Sequence, residues 1–178
     1  MLQYESTPGN VGSVSQSWPS DSAIHLSHDF PTLVMFAHPQ CPCSRASVDE
    51  LAQVVAHIQR KAQIYVSFYT PKASGRDWEN SNLRRTAEAI PGVTVLSDVD
   101  GAEAARFGAE TSGHTFVFDR DGRLLFNGGI TASRGHSGDN AGESSIVSLI
   151  NNGTSGWAKT LVFGCALKDR NKQDPCSK

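Results

Sequence analysis

The run Thr32-Leu33-Val34-Met35-Phe36-Ala37 is almost wholly apolar and leads straight into His38-Pro39-Gln40-Cys41-Pro42-Cys43. Six residues without polar alternation suit a buried strand. Immediately afterwards Val48, Leu51, Val55 and Ile58 recur at +3, +7 and +10, one face of a helix over about 44–60. The junction therefore sets two sulfurs between the carboxyl end of a buried strand and the amino end of a helix. There the helix dipole and unbonded N–H groups favour a thiolate. A thiolate attacks disulfides and binds soft metals, so this stretch points to thiol chemistry.

The remaining pattern alternates strands and helices. Ile64, Val66 and Phe68 alternate in a second strand over 62–69, stopped by Pro71 and followed by a polar loop over 72–77. Leu83, Ala87 and Ile90 predict a helix over 78–90, ended by Pro91, and a short strand is expected over 93–96. Asp100-Gly101-Ala102-Glu103 reads as a capping box opening a brief helix to Phe107. Strands over 115–118 and 123–126 flank Asp119-Arg120-Asp121-Gly122, which is strong hairpin chemistry. A last helix is expected over 141–151. The order βαβαβαββα implies parallel pairing early and an antiparallel edge late, with no internal repeat. Residues 1–23, rich in Ser, Pro, Gly and Asn, read as an irregular arm or tether, residues 24–152 as one domain, and residues 153–178 as an extension packing on it.

Composition narrows the function classes. A chain of 178 residues with net charge −2, whose 16 basic residues form no block, offers no footprint for nucleic acid or anionic membrane. No apolar run approaches the roughly 18–20 residues of a membrane span, and no leader is visible at the start. Trp18, Trp78 and Trp157 are scattered and make no stacking platform, and the pair Asp49 and Glu50 reads as a solvated helix face. Four cysteines (Cys41, Cys43, Cys165 and Cys176) are too sparse for a disulfide-stapled scaffold, and two of them lie only two residues apart.

Cys41-Pro42-Cys43 leaves three readings open: a redox pair, a soft-metal site, or a buried pair. A Cys41–Cys43 disulfide would close a small strained ring, and strained disulfides are the more oxidising ones. Cys41 would attack a substrate disulfide, and Cys43 or a distant thiol would resolve it. His38, three residues before Cys41, is a candidate to tune the thiol, to ligate a metal or simply to bond loop backbone. The sixteen residues from Asn127 to Gly142 include five glycines. Within that loop Arg134 and His136 are candidates for an anionic ligand, against a loop that satisfies its own polar groups. Leu161-Val162-Phe163-Gly164 could dock the tail and bring Cys165 to Cys41 as a third thiol; a buried Cys165 or a Cys165–Cys176 bond is the alternative.

With its cysteines at the first strand-to-helix junction, the chain resembles the thioredoxin fold over about residues 24–152. Phe36-Ala37 with Cys41-Pro42-Cys43 stands where thioredoxins carry their Cys-containing segment. Thr115-Phe116-Val117-Phe118-Asp119-Arg120-Asp121-Gly122 is similar to the hairpin of membrane-anchored, cytochrome-maturation relatives. Cys41 to Ser47, Thr111-Ser112-Gly113-His114 and the 128–140 segment resemble the RedB-like branch, which is usually membrane-tethered and extracytoplasmic.

The resemblance implies a three-layer α/β/α sandwich with a mixed central sheet. It also implies a thiol–disulfide oxidoreductase, with Cys41 as nucleophile, Cys43 as its partner, and His38 and His114 tuning the thiolate. The substrate would be a protein or small-molecule disulfide, bound in part by Gly113, Arg134 and His136. No cofactor and no nucleic acid are implied, and the chain would be a periplasmic monomer, tethered by an anchor outside this sequence. Two departures stand out: the spacing is Cys-x-Cys, which puts Ser44 at the usual resolving position, and Gly113 replaces the family's cis-proline. The second departure leaves room for a copper or zinc site of Cys41, Cys43 and His114 as the alternative function.

Overall fold

The computed structural model describes residues 6–73, 78 and 80–168. Its centre is a five-stranded mixed sheet: β1 (Thr32–Ala37), β2 (Gln63–Thr70), β3 (Val93–Val99), β4 (His114–Phe118) and β5 (Leu124–Gly128), in the order β3-β2-β1-β4-β5. β1 runs parallel to β2, β2 parallel to β3, and β4 antiparallel to both β1 and β5. The central position of β1 explains its sequence, because all six of its residues are buried.

Helix α1 (Cys43–His57), α2 (Asn82–Glu88) and α4 (Ala141–Asn152) cover one face. Val48, Leu51 and Val54 of α1 and Ile146, Leu149 and Ile150 of α4 share a core with Leu33, Met35 and Val117 of the sheet. The second face buries Val34, Phe36, Phe116 and Phe118 against Phe107 of α3 (Ala102–Phe107). The N-terminal arm completes that cover. Trp18 sets its ring edge-on to Phe107 and Phe118, each 5.1 Å between centroids. Trp18 N–H donates to the Gly122 carbonyl at 2.7 Å, and Leu124 N–H to that of Gln16 at 2.9 Å. The result is the thioredoxin-like three-layer arrangement with a mixed sheet.

Several boundaries and local readings differ from the sequence pattern. α1 begins at Cys43 and ends at His57, not 60. The helix expected over 78–90 spans Asn82–Glu88, because the Ser81 side chain accepts from Arg84 N–H at 3.1 Å and sets its start; residues 74–77 and 79 lie outside the described residues. β3 runs on to Val99 because pairing with β2 continues to Thr70. The capping box at Asp100 is not formed: Asp100 and Gly101 both have positive φ, and the cap is the buried Asp98 carboxylate, accepting from Glu103 N–H at 2.8 Å and Ala104 N–H at 2.9 Å. Glu50, read as solvated, is 2% exposed. Its carboxylate accepts from Gly138 N–H at 2.6 Å and from Asn140 Nδ2 at 3.2 Å, so it anchors the long loop to α1.

Candidate thiol site

The strand-to-helix junction turns tightly. Cys41 N–H donates to the His38 carbonyl at 3.2 Å, and Ser44 N–H to that of Cys41 at 3.1 Å. Pro42 takes the N-cap position with φ −58°, where its missing N–H costs nothing. Cys43 is then the first residue of α1.

The tail reaches this junction. Val162, Cys165 and Leu167 are buried. Leu167 N–H donates to the Glu110 carbonyl at 2.9 Å, and Ser112 N–H to that of Cys165 at 2.8 Å. Residues 110–112 and 165–167 thus pair locally, with an antiparallel bridge between Thr111 and Ala166. A side chain at Gly164 would collide with the Ser112 carbonyl, so glycine permits this approach.

The consequence is a disulfide between Cys41 and Cys165, whose Cα atoms are 6.5 Å apart and whose positions differ by 124 residues. Of the two partners the sequence left open for Cys41, the tail's Cys165 is the one bonded and Cys43 is not. Cys43 stays outside the disulfide, and the three sulfurs lie within 4.8 Å of one another. Cys41 and Cys165 are 5% and 3% exposed, whereas Cys43 is half-buried. Cys41, expected as the nucleophile, is thus the buried sulfur, and Cys43 is the more exposed one. Cys176 lies outside the described residues.

Three serines that the sequence reading left without a role hold the site together. Ser112 Oγ accepts from His38 N–H at 2.8 Å and sits 2.6 Å from Ser44 Oγ. Since Ser112 N–H also holds Cys165, one residue braces both cysteine segments. Ser47 lies beneath Gly113, where a Cβ would stand 2.5 Å from its Oγ; Gly113 has φ +90° and donates to the Phe36 carbonyl at 2.8 Å. The only sequence hint of this packing was small residues at matching places in two segments.

The histidines separate. His38 is half-exposed beside the junction. Its Nδ1 accepts from Gln40 N–H at 3.3 Å, and its ring stacks on Tyr69 (5.7 Å) and meets the edge of Trp78 (5.3 Å). His114 is fully buried and stacks on Phe116 at 4.1 Å. Phe116 belongs to the face opposite α1, so His114 points away from the helix that carries Cys43. Burial first of all, with Lys159 nearby, lowers its pKa to about 3 despite an opposing contribution from Asn127. The ring is therefore neutral and cannot serve as an imidazolium at neutral pH. It is absent from the metal-competent group that the described residues form, which is Cys41, Cys43 and Cys165.

The loop candidates are engaged elsewhere. Arg134 Nε donates to the Thr7 carbonyl at 3.2 Å, linking loop to arm, and exposed His136 places Nδ1 2.8 Å from the Arg134 carbonyl. Asn140 caps α4 by accepting from Glu143 N–H at 2.9 Å.

No family model matches this sequence, and no curated protein matches it significantly. Among solved structures, an uncharacterized conserved protein from Geobacillus kaustophilus is similar over 92% of this chain and 92% of its own, with TM-score 0.64 and 17% identity. A hypothetical protein from Sinorhizobium meliloti matches over 89% and 96%, with TM-score 0.61 and 17% identity. A secreted Mycobacterium tuberculosis disulfide oxidoreductase, described as homologous to E. coli DsbE, matches over 56% and 68%, with TM-score 0.45 and 20% identity. The first two likenesses cover most of the chain and show a shared fold.

Proposed function

We propose that this chain is a thiol–disulfide oxidoreductase of thioredoxin-like fold, in which Cys41 and Cys165 form the redox couple and Cys43 is a third participating thiol. The observation that carries this reading is the convergence of three sulfurs, one bonded pair and one half-exposed neighbour, at the start of a long helix. A purely structural disulfide needs no thiol beside it; a thiol within exchange distance makes the bond labile. His38, on the exposed side of the junction, is placed to assist proton movement at the site.

The substrate class is a protein or small-molecule disulfide or thiol, and the exchange requires no cofactor. We place the protein outside the cytoplasm, because disulfides persist in oxidising compartments; the segments 41–47, 111–114 and 128–140 are what suggest the RedB-like branch, and we propose that it acts as a monomer. The same three sulfurs favour a second reading, a soft-metal site in the reduced protein, since thiolates select copper(I) or zinc.

One experiment separates the two. Metal content is measured on the protein as purified, and the thiols are then mapped by mass after equilibration across glutathione potentials. The oxidoreductase reading predicts reversible Cys41–Cys165 oxidation within the glutathione range and catalysed reduction of a disulfide substrate. Stoichiometric copper or zinc with no reversible pairing would replace it with the metal site.

A further inference from the structure

Resting on that reading, we infer that Cys43 is the thiol through which electrons enter and leave the buried Cys41–Cys165 disulfide. The bond is sealed from outside thiols by its own surroundings. Cys41 and Cys165 are nearly inaccessible, covered on one side by the tail and on the other by the braced junction. Among the described cysteines Cys43 alone combines exposure with proximity, its sulfur lying within 4.8 Å of both. A side-chain rotation spans that gap, because a disulfide bond is about 2 Å long. Cys43 also opens a 15-residue helix, whose positive end favours an attacking anion.

The exchange balances without an added oxidant. The Cys43 thiolate attacks the Cys165 sulfur, forming Cys43–Cys165 and releasing the Cys41 thiolate. An external thiolate attacks the now accessible Cys43 sulfur, forming a mixed disulfide and releasing the Cys165 thiolate. A second external thiolate attacks the external sulfur of that mixed disulfide, which regenerates the Cys43 thiolate. Two external thiols become one disulfide, and Cys41 and Cys165 are left as two thiols after protonation. Run in reverse, a substrate disulfide is reduced at Cys43 and the oxidising equivalents are stored in the buried pair. Attack must come along the S–S axis, and the access of the attacking thiol sets the rate.

The test is the rate of reduction of the oxidised full-length protein by dithiothreitol, read by quenched alkylation and intact mass. Cys43→Ser and Cys43→Ala are expected to keep the Cys41–Cys165 bond but to lose it at least about 10-fold more slowly than the parent. In urea the three proteins are expected to reduce at the same rate, which ties the effect to the fold. Cys41→Ser is expected to form a Cys43–Cys165 bond. Equal native rates, or a Cys41→Ser protein whose Cys43 never pairs, would overturn the relay. Because dithiothreitol reduces at any biological potential, the relay and the functional reading fail separately. A Cys43-dependent rate with no oxidation in the glutathione range would remove the oxidoreductase reading alone, and Cys43-independent exchange within that range would remove the relay alone.

Discussion

At the scale of single residues, the site is defined by which sulfurs and rings the backbone hides. His114 shows the energetic side of this. Among the described residues its two ring nitrogens have no hydrogen-bond partner at normal geometry, and the ring is fully buried. The native state holds it neutral, with a pKa of about 3 against 6.5 when solvated. The unfolded chain therefore takes up a proton below pH 6.5 that the native chain refuses, so this residue's contribution to stability is present above pH 6.5 and falls away as pH drops toward 3. His114→Phe keeps the stack on Phe116 and removes the proton acceptor. Urea unfolding at pH 7 and pH 4.5 is expected to show the variant gaining on the parent at the lower pH, with its thiol-exchange rate unchanged. A difference that stays constant between the two pH values would mean that His114 does not govern this linkage.

At the scale of elements, α1 has two duties: its first turn carries Cys43 and its middle fixes the long loop. Glu50 does the second, and burial, chiefly, raises its pKa above 4.5, with Glu143 and Asp139 adding repulsion and the Gly138 N–H opposing. Glu143 in turn lies 3.4 Å from the exposed ring of His57. The native state binds this proton more tightly than the unfolded chain does, so its contribution is complete below pH 4.5 and is lost as pH rises through the folded value. Glu50→Gln keeps an oxygen toward Gly138 N–H and an amide N–H toward Glu143 at every pH, and gives up the longer bond accepted from Asn140 Nδ2. Thermal unfolding is expected to find the variant gaining on the parent as pH rises from 4 to 7.5; a variant that loses ground over that range would show that the ionised carboxylate is what the loop requires. This duty was invisible in the sequence, where Asp49-Glu50 looks like any solvated helix face. By contrast β1, α1, the Asp119–Gly122 hairpin and α4 were legible, because continuous apolarity, helical period and turn chemistry are local signals. The Asp98 cap was not, since the carboxylate reaches forward five and six residues past two positive-φ positions, and the Ser112 brace was not, since its backbone partner His38 lies 74 residues away.

At the scale of the whole molecule, the sheet is flanked by the described parts of the arm and of the tail. The arm bonds to the tail where Gly9 N–H donates to the Val162 carbonyl at 2.8 Å, and the tail bonds to β5 where Asn127 N–H donates to the Ala158 carbonyl at 3.0 Å. The disulfide locks this wrap, and it closes a loop of more than a hundred residues. Chain-entropy arguments assign such a closure at most ~4–5 kcal/mol, acting on the unfolded state. The tail also keeps its hydrogen bonds to Glu110 and Ser112 and its buried Val162 and Leu167, none of which requires the sulfur–sulfur bond. Reduction should therefore lower stability without releasing the tail, and the redox cycle can run on a folded scaffold. Cys165→Ser isolates that cost. Under oxidising conditions it is expected to unfold in urea with about 2–4 kcal/mol less stability than the parent. In dithiothreitol the two proteins should agree within about 1 kcal/mol, since serine replaces one thiol in a wrap that is otherwise intact. If the reduced parent were as weak as a chain with the tail undocked, with amides near Ser112 and Leu167 exchanging freely, the disulfide would be the clasp of the fold. A bond on which folding depends could not be opened in every catalytic cycle.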